Sequence, residues 1–517
     1  MDSTLDTDDA VLEFLRSWAD APEIETHAAR VFLRGHTALK IKRPVHYDFL
    51  DFRKLSDRRR VLDRELEINK PNAPMLYEDV VAITRSADGS VELNGSGEVL
   101  DWALKMARFP KDHELSEIAR RGALDLQMAE ALGDMVHELH AKAPVSACDG
   151  SKLIAEILSE FGREFQTLHE KGVELDVSSL LEVLRAELLC LSELLQDRSR
   201  AGFVKRCHGD LHMRNIVFLD AKPVAFDALE FSERMGTCDV LYDLAFLLMD
   251  LDVSGHKQAA NSVLNAYISA ENDKAALKGL SALSLFKSVR AVVRAMVAAE
   301  QYALHWDASK LEEAKTYLAY ARETVEPSTG ALYAIGGLSG TGKTTIARGL
   351  RADLGGKHGA VHIRSDVERK RLAGVPLLTK LPADHYDCAS SAATYDEIRA
   401  RASVCLHAGM SVLLDAVFAD PEERERIAEM SGEFGVPFRP VWLDVSQGER
   451  CHRVADRRND ASDADVAVVV AQSKKDCGHI SWPVVQADGP YAETLEHART
   501  ALSGETDDTF SEDPKDY

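Results

Sequence analysis

The run Gly337-Leu338-Ser339-Gly340-Thr341-Gly342-Lys343-Thr344 constrains this chain more than any other stretch of it. It satisfies G-x-x-x-x-G-K-[ST], follows the β-like run 331–335 directly, and leads into 345–350, which reads as a helix. Glycine lets successive backbone N–H groups converge on one anion, and the following helix adds the positive end of its dipole. Lys343 is placed to reach β- and γ-phosphates and Thr344 to complete a Mg²⁺ shell, and the candidate nucleotide-binding set runs from Gly337 through Thr345. Downstream, the strand-like runs 360–363, 411–414 and 440–443 alternate with amphipathic stretches, the sequence form of an α/β unit with a parallel sheet.

Three further groups fall where such a sheet binds ligands. Asp366, just past the 360–363 run, is a candidate base for an attacking hydroxyl, and Arg369, one helical turn on, a candidate phosphate holder. The plain alternative is an N-cap aspartate with an i,i+3 ion pair. Asp415 ends the 411–414 run where a carboxylate would meet the Mg²⁺ shell, or simply closes a strand. Arg453, Arg457 and Arg458 fall on one expected helix, as a lid over the nucleotide or as a solvated basic face. Together these residues resemble the P-loop kinases of the polynucleotide-kinase, zeta-toxin and chloramphenicol-phosphotransferase group, over about 331–500. The resemblance implies Asp366 as base, Arg369 as acceptor or phosphate holder, and Arg453 and Arg457 as lid arginines.

A second signal is His208-Gly209-Asp210-Leu211-His212-Met213-Arg214-Asn215. Asp210 and Asn215 have the D-x-x-x-x-N spacing that places a base on an acceptor hydroxyl and an amide on Mg²⁺, and Asp227 ends the β-like run 223–226 as a second metal-directed carboxylate. His208 and His212 lack a third ligand at zinc spacing, so His208 is expected to brace the loop. Asp239 and Asp243 read as bracing or helix-start carboxylates. The segment resembles the aminoglycoside phosphotransferase family, with its protein-kinase-like fold, over about 25–320. That resemblance puts the nucleotide-gripping lysine on Lys40, with Lys42 on the same strand face as the alternative, and its partner on Glu65. No G-x-G-x-x-G precedes Lys40; only Gly35 lies in the turn, so the phosphates are expected to be covered less tightly. The order of the two halves also resembles a bacterial group of fused kinases.

Length and composition set the frame. The 517 residues are 45% hydrophobic and 28% charged, with 62 Lys+Arg against 85 Asp+Glu and a net charge of -23. That balance suits a globular chain and argues against general binding to nucleic acid or anionic membranes. The chain has eight cysteines and no C-x-x-C pair, no stretch of transmembrane length, and an acidic start, Met1-Asp2-Ser3-Thr4-Leu5-Asp6; a cytoplasmic location is expected. The expected organisation is an α+β kinase-like domain at 1–325, with a small β-rich lobe and a helical lobe, then a linker at 326–330. An α/β P-loop domain follows at 331–504 and an acidic tail at 505–517. Residues 52–69 are expected as a surface helix.

The expected activity is γ-phosphate transfer from ATP (or GTP) with Mg²⁺ to small-molecule hydroxyls at two nucleotide sites. The alternatives are a nucleotide-sensing first domain beside an active P-loop kinase, and a P-loop domain acting on a nucleotide or nucleic-acid 5′-hydroxyl. Lys370 and Arg371 motivate the last, and the acidic charge weighs against it.

Overall fold

A computed structural model describes residues 3–26, 28–47, 50–457 and 460–504; the expected acidic tail and Arg458 lie outside the described residues. In the first unit an antiparallel sheet runs Ile24–Glu25, Ala29–Arg34, Thr37–Lys42, Glu98–Ala107, Tyr77–Arg85, Val91–Leu93. Strand alternation divides its side chains. Phe32, Leu39, Ile41 and Ile83 pack under Val11 and Leu15 of the helix Ser3–Trp18. Ala38, Val80 and Leu104 pack on the opposite side with Leu62 and Leu76. Lys40 and Lys42 share the Ala38 side, which turns them toward the helix Leu55–Asn69. That helix is not the surface helix expected: Arg58, Val61, Leu62, Glu65 and Asn69 are buried. Its charged groups leave water because each meets a partner, as when Arg58 Nε donates to Asp101 at 2.9 Å.

The helical lobe includes Leu126–Lys142, Gly150–Glu170, Ser178–Arg200, Val240–Val253, Lys257–Ala270, Leu283–His305 and Ala308–Val325. Between it and the sheet lies an open cleft of about 2670 Å³ lined by Lys40, Asp210, Asn215 and Asp227.

The second unit is built on five parallel strands in the order Ala360–Arg364, Ser411–Asp415, Leu332–Gly336, Phe438–Asp444, Val484–Gln486. The last, three residues long, is too short to show a periodicity in sequence. Register places Asp415 beside both Ile335 and Arg364, so it stands between the strand entering the glycine loop and the strand leading to Asp366.

Residues 326–330 carry no regular structure, yet they are no loose tether. Lys357 Nζ donates to Glu326 O at 2.6 Å. One cluster of buried apolar side chains runs without a break from Leu248, Ala299 and Ala321 to Val361, Val412 and Leu414, so the two units share a core.

Candidate active sites

In the first unit, Lys40 Nζ lies 2.8 Å from Glu65 Oε1 and 2.5 Å from Asp227 Oδ1. Lys42 Nζ lies 2.7 Å from Glu65 Oε2 and 2.6 Å from Glu230 Oε1. The two lysines therefore share Glu65 and differ in their second partner; only Lys40 faces Asp227. Asp227 has φ +60°, a left-handed backbone that aspartate tolerates better than most residues. Its N–H donates to Tyr77 Oη (2.9 Å) and the Ala228 N–H to Asn69 Oδ1 (2.9 Å), which together hold the turn. Above the cleft the hairpin turn is only Gly35-His36, and the Gly35 N–H donates to Asp20 Oδ2 at 2.6 Å.

The Asp210 loop is held from beneath. Asp243, fully buried, accepts from the His208 N–H (3.2 Å), the Gly209 N–H (2.8 Å) and His140 Nε2 (3.1 Å). Arg290 Nη1 donates to Gly209 O at 3.1 Å. His208 Nε2 lies 2.9 Å from Phe226 O, the bracing contact expected of it. Asn215 Nδ2 donates to Asp210 Oδ2 at 3.0 Å. Burial alone would raise the Asp210 pKa; His212, 3.4 Å away, with His208 and Arg290, brings it below the usual carboxylate value. It is thus ionised and able to accept from a hydroxyl.

In the second unit, Thr344 Oγ1 donates to Asp415 Oδ2 at 2.6 Å, and His362 Nε2 lies 3.3 Å from the same oxygen. This all-oxygen pair, Thr344 and Asp415, suits a hard cation such as Mg²⁺. The loop can close only with glycines: a Cβ on Gly337 would meet Leu443 O at 2.5 Å, and one on Gly340 would meet Arg450 O at 2.8 Å. Lys343 Nζ donates to Leu338 O at 3.1 Å, and burial lowers its pKa. The Ser339 N–H donates to Gln472 Oε1 at 2.8 Å.

Asp366 sits in the first turn of the helix Ser365–Leu372, whose N-cap is Arg364, so it is not itself a cap. Burial raises its pKa against the pull of Arg364 and Ser462, a direction that suits a proton-accepting group. Arg369 makes no i,i+3 pair with it: Nη1 donates to His385 O at 2.7 Å and the guanidinium lies 4.7 Å from the centre of the Tyr386 ring. Arg453 donates to Glu449 (2.8 Å) and Ala487 O (2.8 Å) and reaches Thr341 O at 3.4 Å. Arg457 lies just past the helix Gln447–Asp456 rather than on it, with a buried Nη1 that has no hydrogen-bond partner. Thr345 is exposed.

Residues 111–280 match the phosphotransferase enzyme family model, and residues 332–475 match the AAA domain model. This chain joins a phosphotransferase-family domain to an AAA domain. It is 29% identical over 468 residues to uncharacterized proteins of Mycobacterium tuberculosis (strain H37Rv) and Mycobacterium bovis, covering 88% of this chain and 91% of each relative. Among solved structures it is similar to choline kinase from Cryptosporidium parvum (11% identical, 61% of this chain and 95% of that one, TM-score 0.40). It is also similar to the Mycobacterium tuberculosis APS kinase in complex with AMPPNP and APS (18% identical, 34% and 99%, TM-score 0.25).

In the phosphotransferase domain the sequence carries no sign of Tyr77, Asn69, His140, Glu230 or Arg290, which act across distances of up to 188 residues. In the AAA domain it missed His362, Arg364 and Gln472; His362 shares its strand face with buried Ala360, the one local hint of an inward side chain. Lys370 and Arg371, the basic residues behind the nucleic-acid reading, are already partnered. Lys370 Nζ lies 2.9 Å from Asp463 Oδ1, and Arg371 Nη2 donates to Ser269 O at 2.7 Å. Among the described residues His140, Cys207 and Asp243 bring ligand atoms within 4.8 Å of one another. Asp243 is already bonded by two backbone N–H groups and His140, and Cys238 and burial keep the Cys207 thiol protonated, so the group is a brace. No helix among the described residues is long and apolar enough to cross a membrane.

Proposed function

We propose that the chain is an ATP-dependent phosphotransferase with two nucleotide centres, each moving a γ-phosphate to the hydroxyl of a small molecule. The observation that carries it is that each domain gathers the groups in-line phosphoryl transfer needs, a cation, metal-directed oxygens and a carboxylate. In the phosphotransferase domain these are Lys40, Asn215 with Asp227, and Asp210; in the AAA domain they are Lys343, Thr344 with Asp415, and Asp366. Mg²⁺ would neutralise phosphate charge at both. Asp210 and Asp366 would accept from the attacking hydroxyl, Glu65 would set Lys40, and Arg453 and Arg457 would border the bound nucleotide.

A fluorescent ATP analogue titrated with Mg²⁺ tests this: two are expected per chain, one after Lys343→Ala, and one after Lys40→Met. A screen of metabolite pools with γ-labelled ATP then identifies the acceptors. A count of one in the unaltered chain would remove a centre from the proposal.

A second reading has its own support. The tight Gly35-His36 turn, its amide already held by Asp20, leaves little backbone to fold over phosphates. It supports a phosphotransferase domain that senses nucleotide while the AAA domain turns over. Tight binding without labelling of any acceptor in the Lys343→Ala chain would favour it.

A further inference from the structure

One edge of the AAA-domain sheet is the strand Ala360–Arg364, and a helix of the other domain, Lys257–Ala270, seals it. Asn261 and Asn265, four residues apart and so on one helix face, do this with side-chain amides. Asn261 Nδ2 donates to His358 O at 2.8 Å, and Asn265 Nδ2 to Ala360 O at 3.1 Å. Asn265 Oδ1 accepts the His362 N–H at 2.6 Å. Gly359, at φ +69°, permits the approach, since a Cβ there would lie 2.5 Å from Asn261 Nδ2. The C-terminal carbonyls of the same helix are gripped from the AAA domain, Ser269 O by Arg371 and Glu271 O by Arg401. Cations suit that end of a helix.

Two residues beyond Asn265, and so on the opposite side of the helix, is Tyr267. Its hydroxyl lies 3.0 Å from His140 Nδ1, and His140 Nε2 lies 3.1 Å from Asp243 Oδ2. Asp243 accepts only, so His140 carries its proton on Nε2 and Nδ1 accepts from Tyr267. Asp243 in turn holds the His208 and Gly209 amides beneath Asp210. On the other side, the His362 backbone fixed by Asn265 carries an imidazole that reaches Asp415 Oδ2, the oxygen that also accepts from Thr344.

We propose that the helix Lys257–Ala270 positions both phosphate centres: Asn265 sets His362 and through it Asp415 at the P-loop, and Tyr267 sets His140 and through it Asp243 under the Asp210 loop. The P-loop centre is then completed by a residue of the phosphotransferase domain. The proposal rests on the two-centre reading and adds that the centres share one support. Asn265 and Tyr267 touch no substrate; each acts through a histidine that orients a carboxylate. Outer-shell partners of this kind alter metal affinity when removed.

The test uses the full chain and follows the Mg²⁺ concentration that half-saturates binding of a fluorescent ATP analogue, with the thermal transition recorded alongside. In a Lys40→Met background, which reports the P-loop, Asn265→Leu is expected to raise that concentration about tenfold. Asn265→Asp keeps an oxygen facing the His362 N–H but sets another against Ala360 O, and is expected to restore only part of the loss. In a Lys343→Ala background, which reports the Asp210 cleft, Tyr267→Phe is expected to raise it by a similar factor, about tenfold. Each variant is expected to leave the other centre's Mg²⁺ requirement in place. Unchanged Mg²⁺ requirements with an intact thermal transition would overturn the proposal. So would equal shifts at both centres from either variant, which mark general loosening of the helix. A single analogue bound by the unaltered chain would overturn the two-centre reading itself, and this proposal with it.

Discussion

The two proposed phosphate centres hold positive charge in opposite ways. In the phosphotransferase domain Lys40 and Lys42 are already paired with Glu65, Asp227 and Glu230, so a nucleotide must compete with protein carboxylates for them. In the AAA domain the cradle is mostly backbone N–H, Lys343 rests on a carbonyl, and the Ser339 amide rests on Gln472. Admitting phosphate there breaks hydrogen bonds to uncharged oxygens rather than ion pairs, each worth about 1–3 kcal/mol net. A centre built on side-chain charge depends on distant residues meeting, whereas one built on loop amides is largely written in eight consecutive residues.

The largest expected effect tests whether the centres are chemically separate. Asp210→Asn in a Lys343→Ala chain is expected to lower labelled-phosphate transfer about 10²–10⁴-fold. The same change with Lys343 intact should leave the P-loop's own products unaltered. If those products vanish too, the two-centre comparison is broken.

The next effect is on stability. Glu65→Gln leaves Lys40 and Lys42 buried without their shared carboxylate and is expected to cost about 3–5 kcal/mol in denaturant unfolding. Arg453→Ala, at the partly exposed pair with Glu449, is expected to cost less than about 1 kcal/mol. Equal costs would erase the contrast between a centre made of buried ion pairs and one made of backbone.

A third effect concerns the seam. His358 is half-buried between the domains, 2.9 Å from Ser284 Oγ and 3.2 Å from Lys287 Nζ, and desolvation followed by Lys287, Lys357 and Lys257 holds its pKa well below 6.5. The unfolded chain takes the proton more readily, so this contribution is complete above pH 6.5 and declines as the pH falls below it. The expected slope is at most about 1.4 kcal/mol per pH unit, and His358→Gln should flatten it. One thermal transition for both domains, shifting together with acid, would sharpen the picture of a shared core.

The smallest effect belongs to Gln472. Gln472→Ala frees the Ser339 N–H and is expected to tighten ATP binding at the P-loop about fivefold by calorimetry. Weaker binding would instead make Gln472 part of the nucleotide's own shell.

Sequence legibility follows the same division. The glycine loop, the Asp210–Asn215 spacing and the strand-end position of Asp415 could be read directly, because each motif carries its backbone geometry in neighbouring residues. Lys40 and Lys42 could not be separated, because what separates them, Asp227 against Glu230, lies about 190 residues away in the chain and is joined only by folding. The helix Leu55–Asn69 reads as solvated because its charges outnumber its apolar residues; the partners of its buried charges, Arg58 and Glu65, come from other strands. Asn261 and Asn265 look like ordinary polar positions on a helix, and nothing local says that a strand edge lies opposite.

That sealed edge has a practical consequence. Cutting the chain at residues 326–330 would not release two self-sufficient proteins. The AAA half would carry a bare ribbon of unanswered amides and carbonyls at Ala360–Arg364, open to zippering with its own copies, and the other half would lose the cover over apolar side chains of the common core. The two halves are thus bound to be expressed and purified together.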